Sequence, residues 1–288
     1  MGLEILRFSQ NDKLNDTLFI SAVVVLERAK DFFQTAIDLH QKRGDEVDIA
    51  RQEGHLGLIL RAQGEWSKAE EIHRRALEVL TEAGNGSDQA TQLVNLASLA
   101  YLRGDLREAE TTYRQALSLY EEIDHRQGQA GVLANLGNVT HARSEWEMAL
   151  DYYQQALLLY RQIGHRRGEA GTLANIGVVW RHLGRSEDAL HYYEEAVILD
   201  RGIPDRPGEA ATLNNLALTR RLMGNWRDAL VDLDRALTLY QTIGDRRGQA
   251  ATLNNLGRAR SEPDNPRWPL TTTSKLWVSI KNSVCEQA

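Results

Sequence analysis

Small and apolar residues return along this chain at a fixed interval of forty positions. Ala69, Ala109, Ala149, Ala189 and Ala229 fall in step, and so do Ala50, Ala90, Ala130, Ala170, Ala210 and Ala250. A period of roughly twenty to fifty residues marks a solenoid, in which each unit packs only on its neighbours. Two helical patterns alternate within each period. The first places apolar residues at i, i+3 and i+7, as in Leu93, Leu96 and Ala100, or Leu173, Ile176 and Trp180. It stops at Gly64, Gly104, Ser144, Gly184 or Gly224, where a helix end needs backbone freedom. The second opens on Trp66, Leu106, Trp146 or Trp226, with Ser186 departing, and continues as Ala-x3-aromatic-x2-Ala, as in Ala149, Tyr153 and Ala156. Gly164-His165, Pro204-Asp205 and Gly244-Asp245 close it with turn chemistry. No segment sustains the alternation of a strand, so the pattern predicts an all-α chain of paired helices.

Laid along the chain, the period gives five complete units, at 47–86, 87–126, 127–166, 167–206 and 207–246. Residues 29–46 match the second half of a unit, and 247–260 match the first helix of a sixth. Residues 1–28 read as an irregular segment. Pro263, Pro266 and Pro269 stop the helical pattern, so 261–288 reads as an irregular tail. The alanine columns, with the column Gly57, Ala97, Gly137, Gly177, Ala217 and Gly257, mark the close helix contacts. Tyr113, Tyr153 and Leu233 fill the space beside them. Trp66, Trp146 and Trp226 read as core residues next to the turns.

These residues resemble the tetratricopeptide repeat: Leu-x2-Leu-Gly, an Ala twelve residues on, then Ala-x3-Tyr/Phe-x2-Ala. The match extends over roughly 29–258 and looks like the forty-residue variety of Pins-type scaffold proteins and many bacterial regulators. The resemblance implies a right-handed superhelical α-solenoid of antiparallel helix pairs that binds protein partners. It further implies that the first helix of each pair lines a concave groove. Counting from the Gly/Ala column as position eight, position six holds Asn95, Asn135, Asn175, Asn215 and Asn255, with His55 in the first unit. Asn is a middling helix former, so five in register are not explained by propensity. Its amide offers one acceptor oxygen and two N–H donors, enough to hold both groups of a passing peptide backbone. Asn214 and Asn254 stand beside this row.

Position twelve adds Arg61, Tyr101, His141, Arg181 and Arg221, and position thirteen adds His182. Such a lining would favour an extended, acidic peptide. An alternative stays open: a self-associating or regulatory module of a larger signalling protein that works through its ends. Copying by tandem duplication would also produce an Asn row with no ligand role.

Composition narrows this little. The net charge of −6 argues against bulk nucleic-acid binding. A single Cys, Cys285, forms no internal disulfide, and the apolar run from Leu18 to Leu26 is too short to span a bilayer, so the expected location is cytoplasmic. The nucleotide-binding, zinc-hydrolase and serine-hydrolase signatures are missing, and the eight His residues are dispersed. The sequence therefore reads as a non-enzyme with no cofactor and no metal. His73 falls in the core aromatic column, His125 and His165 in turns. Adjacent carboxylates such as Glu70 and Glu71 read as solvated surface.

Overall fold

The computed structural model describes residues 25–202 and 206–261, and every regular element among them is an α-helix. In chain order these are α1 over 25–41, α2 (Glu46–Ala62), α3 (Trp66–Glu82), α4 (Gly86–Arg103), α5 (Leu106–Glu122) and α6 (Arg126–Ala142). There follow α7 (Trp146–Gln162), α8 (Arg166–His182), α9 (Ser186–Arg201), α10 (Arg206–Leu222), α11 (Trp226–Ile243) and α12 (Arg246–Ser261). The all-α solenoid of helix pairs is what the periodicity predicts. One boundary shifts: α1 already includes Glu27 and Arg28, inside the stretch read as irregular. Residues 1–24, the Pro204-Asp205 turn and the tail from 262 lie outside the described residues.

The chain divides into two compact units, Met1–Gly164 and His165–Ala288. In the first, α2 pairs with α3, α4 with α5 and α6 with α7, while α3 packs on α4 and α5 on α6. The alanine columns account for this closeness: Ala69, Ala76, Ala109, Ala116, Ala149 and Ala156 are wholly buried. Gly57 lies against the His73 ring and Gly137 against the Tyr153 ring, so near that a Cβ would fall 2.6 and 2.5 Å from a ring atom. Leu93, Tyr113, Leu136 and Val139 join one apolar cluster across α4, α5 and α6. The first helices end as the pattern requires, with Gly64 and Gly104 at φ +82° and +88°. The N–H of Asp105 reaches back to the Ala100 carbonyl at 2.9 Å, closing the helix end. Ser144 takes the same left-handed conformation at φ +61°, although it carries a side chain.

The joint between one pair and the next varies along the chain. At α5–α6, Tyr120 occupies the space over Gly128, where a Cβ would stand 2.7 Å from the ring. The His125 side chain caps α6 by accepting from the Gly128 N–H at 3.0 Å, and Gln129 donates to the Tyr120 carbonyl. At α3–α4 Leu80 takes the place of the aromatic residue, and the glycine position holds Asp88, whose N–H is capped by Asn85 at 3.2 Å.

The second unit repeats the scheme. Here α8 pairs with α9 and α10 with α11, while α9 packs on α10 and α11 on α12. Gly177 faces Tyr193, and Ala217 shares a buried cluster with Leu233. At α11–α12, Tyr240 lies over Gly248, and Asp245 caps the helix through the Gly248 N–H at 2.9 Å. His165 caps α8 in the same way through Gly168.

Two expectations need correction. Trp66 is 38% exposed, and Trp146 and Trp226 are only half-buried, because the residue opening the second helix covers a rim rather than entering the core. Glu70 is not freely solvated: Arg74 and Arg103 hold it, and their hydrogen bonds depress its pKa.

Candidate functional site

First helices of neighbouring pairs lie beside each other, α2 by α4 in the first unit, α10 by α8 and by α12 in the second. The Asn row sits on these helices. In the first unit Asn95 is buried at 8% exposure, whereas Asn135 is half-buried. In the second unit Asn175, Asn214, Asn215 and Asn255 are half-buried and Asn254 is exposed. Two of them bond to each other: Asn255 Nδ2 donates to Asn214 Oδ1 at 3.0 Å, tying α12 to α10. That rung serves packing between pairs, as tandem copying alone would allow.

Position nine contributes polar groups that the sequence reading passes over. Tyr153 donates its hydroxyl to Asn138 Oδ1 at 2.7 Å, and Tyr113 shares a hydrogen bond of 2.8 Å with Ser98. Burial pushes both phenols above the ordinary tyrosine pKa, so each remains a neutral hydroxyl. The signal was present as a register match, since Ser98 and Asn138 stand fifteen residues before their tyrosines.

Among the position-twelve residues, Arg61 is half-buried. Its charge reaches His73 and Tyr113. Tyr101 and His141 are half-buried, and His141 meets the Trp146 ring edge-on with centroids 5.2 Å apart. In the second unit Arg181 is half-buried beside Tyr193, and its Nε is enclosed without a hydrogen-bond partner. Burial and then Arg181 depress the pKa of His182. Arg221 is half-buried, and Arg185 stacks over the Trp180 ring at 4.6 Å.

One group of potential metal ligands comes together among the described residues where the sequence shows only dispersed histidines. His40 Nδ1 lies 3.9 Å from a carboxylate oxygen of Asp45 and of Asp48. That separation is too wide for hydrogen bonds, and Asp48 is already engaged by Arg51. A cavity of about 380 Å³ lies among α1, α2 and α3, with Ile37, Leu56 and Ile72 at its wall beside the Glu53–Arg75 pair. No helix among the described residues is long and apolar enough to cross a membrane.

Solved structures share the fold at low identity. BtubC (BKLC) from P. vanneervenii aligns at a TM-score of 0.65 and 20% identity, covering 76% of this chain and 92% of its own. A signal transduction ATPase with numerous domains and a tetratricopeptide repeat sensor, from Pyrococcus horikoshii, aligns at 0.64 and 17% identity. It covers 82% of this chain, which spans only 37% of that protein. PilF of Pseudomonas aeruginosa aligns at 0.53 and 22% identity, covering 74% of this chain and 92% of its own. No curated protein matches the chain. The tetratricopeptide repeat family model matches residues 47–122, 128–202 and 203–267. With well over half its length matched in three successive blocks, the chain belongs to the tetratricopeptide repeat family.

Proposed function

We propose that this chain is a binding module for an extended, acidic peptide segment, held on the first helices of each unit. Repeats of this family generally mediate protein–protein interaction. The observation that carries the reading is the half-buried asparagine at one register, Asn135 in the first unit and Asn175 and Asn215 in the second. Half-burial fixes each side chain at the surface of its helix, and each hydrogen bond contributes about 0.5–1.5 kcal/mol net. Micromolar binding corresponds to about 8 kcal/mol, so these bonds supply part of it and side-chain contacts the rest. Arg61 and Arg181, both half-buried on first helices, supply the preference for acidic side chains. The forty-residue period supports assignment to the Pins-type and bacterial-regulator variety.

The test is a proteome pull-down with the intact chain beside a variant in which Asn135, Asn175 and Asn215 are all Ala. Circular dichroism checks that the variant folds. Partners captured by the intact chain and lost by the variant support the reading; partners retained by both refute it. A second reading draws on the Pyrococcus horikoshii neighbour, whose repeats form the sensor of a larger ATPase. It makes this chain the regulatory module of a larger protein. Retained partners, with concentration-dependent mass that disappears on trimming the ends, favour that reading.

A further inference from the structure

Where α3 packs on α4, two residues that touch each other depart from their counterparts along the chain. His73 on α3 stands where the later counterparts are Tyr113, Tyr153, Tyr193 and Leu233, and Gln92 on α4 stands where they are Val132, Thr172, Thr212 and Thr252. His73 is wholly buried, and its Nδ1 is hydrogen-bonded to Gln92 Oε1 at 2.8 Å. With Gln92 accepting at Nδ1, the neutral ring carries its proton there, and Nε2 faces the bare backbone of Gly57, enclosed and without a partner. A second proton would have to sit on Nε2, where nothing accepts it.

Among the described residues no anion acts on His73 to compensate an imidazolium. On α2, Glu53 is taken by Arg75, and Arg61 adds a like charge. Glu70 on α3 is taken by Arg74 and Arg103, and Asp88 on α4 by Arg51. Desolvation, with Arg61 adding to it, depresses the pKa of the ring against the smaller opposing pull of Gln92. The folded form thus excludes a proton that the unfolded form accepts. Stability held above the unfolded-state pKa is lost as pH falls through the folded value.

We propose that the His73–Gln92 contact is an acid-sensitive latch: protonation of His73 releases the α2–α3 pair from α4 while the α6–α7 pair stays closed. The device concerns the first unit alone and is independent of the peptide-binding reading.

The register supplies its own control. Gly177, Val178, Arg181 and Tyr193 correspond to Gly57, Leu58, Arg61 and His73, so the surroundings of His73 are already close to those of a tyrosine. The double variant H73Y/Q92T rebuilds the second-unit arrangement and leaves His40 and His55 in place. Hydrogen exchange of the full chain would be measured at pH 7.5 and 5.5, corrected for intrinsic exchange rates. In the natural chain, protection of α2 and α3 should fall by up to about tenfold per pH unit below about 6.5, more than in α6 and α7. The variant should lose this excess. An equal acid loss in the variant, or an equal loss in α6–α7, overturns the proposal. Should the variant fail to fold at pH 7.5, an NMR titration of His73 in the natural chain decides: a ring that titrates while α2–α3 keep their protection overturns it, and titration coincident with their opening supports it.

Discussion

Gly137 presents bare backbone to the ring of Tyr153, 2.5 Å from where its Cβ would be, and the hydroxyl of that ring bonds to Asn138. One turn of α6 thus holds both ends of the tyrosine. Ala at 137 gains about 1 kcal/mol of helix propensity but overpacks the contact by about 1–3 kcal/mol. Gly137→Ala is expected to lower the urea midpoint of the first unit, and Gly137→Val to lower it further. Because repeat arrays depart from two-state behaviour, the probe should report on that unit alone.

Ser144 holds a left-handed conformation that its counterparts Gly64 and Gly104 adopt without a side chain. The cost for an L-residue is about 1–2 kcal/mol. Ser144→Gly should therefore raise stability by about 1 kcal/mol, less whatever flexibility the unfolded chain gains. Thermal denaturation of the two chains side by side checks this.

The caps at Asp245 and Asn85 do the same task with different groups. Replacing Asp245 by Ala removes the bond to the Gly248 N–H and should cost about 1 kcal/mol, while Asn at that position should cost little. Hydrogen exchange at the start of α12 should register the loss first.

Burial pushes the Asp232 carboxyl up to about 6, against the pull of Arg220 at 2.7 Å. A folded pKa above the unfolded one means that the folded form binds the proton first. Its contribution to the second unit therefore grows as pH falls through 6 and reaches its full size below the unfolded value, near 4. Asp232→Asn should flatten this trend and leave Arg220 paired with Glu194. Denaturation of both chains at pH 7.5 and 5 reads the difference, whose sign is opposite to that expected for His73.

Periodicity made most of the fold legible. The alanine and glycine columns are the close contacts because the interval of forty fixes which residues meet. The tryptophans misled because hydrophobicity says that a residue seeks cover without saying how much cover its position offers. At the candidate site, register located the asparagines, but their inequality was hidden. Asn95 is buried and Asn135 is not, a difference set by neighbouring side chains rather than by the residue itself. The Asn214–Asn255 rung and the His40–Asp45–Asp48 cluster depend on side-chain direction, which spacing alone does not give.

These joints between pairs also constrain how such a chain can be rearranged. Tyr120 requires Gly128 and Tyr240 requires Gly248, whereas Leu80 admits Asp88. A crossover within the eight residues between such partners would bring a ring against a carboxylate-bearing backbone, whereas one within a helix pair would carry both partners along. The segment inherited as a whole is then the end of one pair with the start of the next, and chimaeras cut in the middle of the helices should fold better than those cut at the turns between pairs.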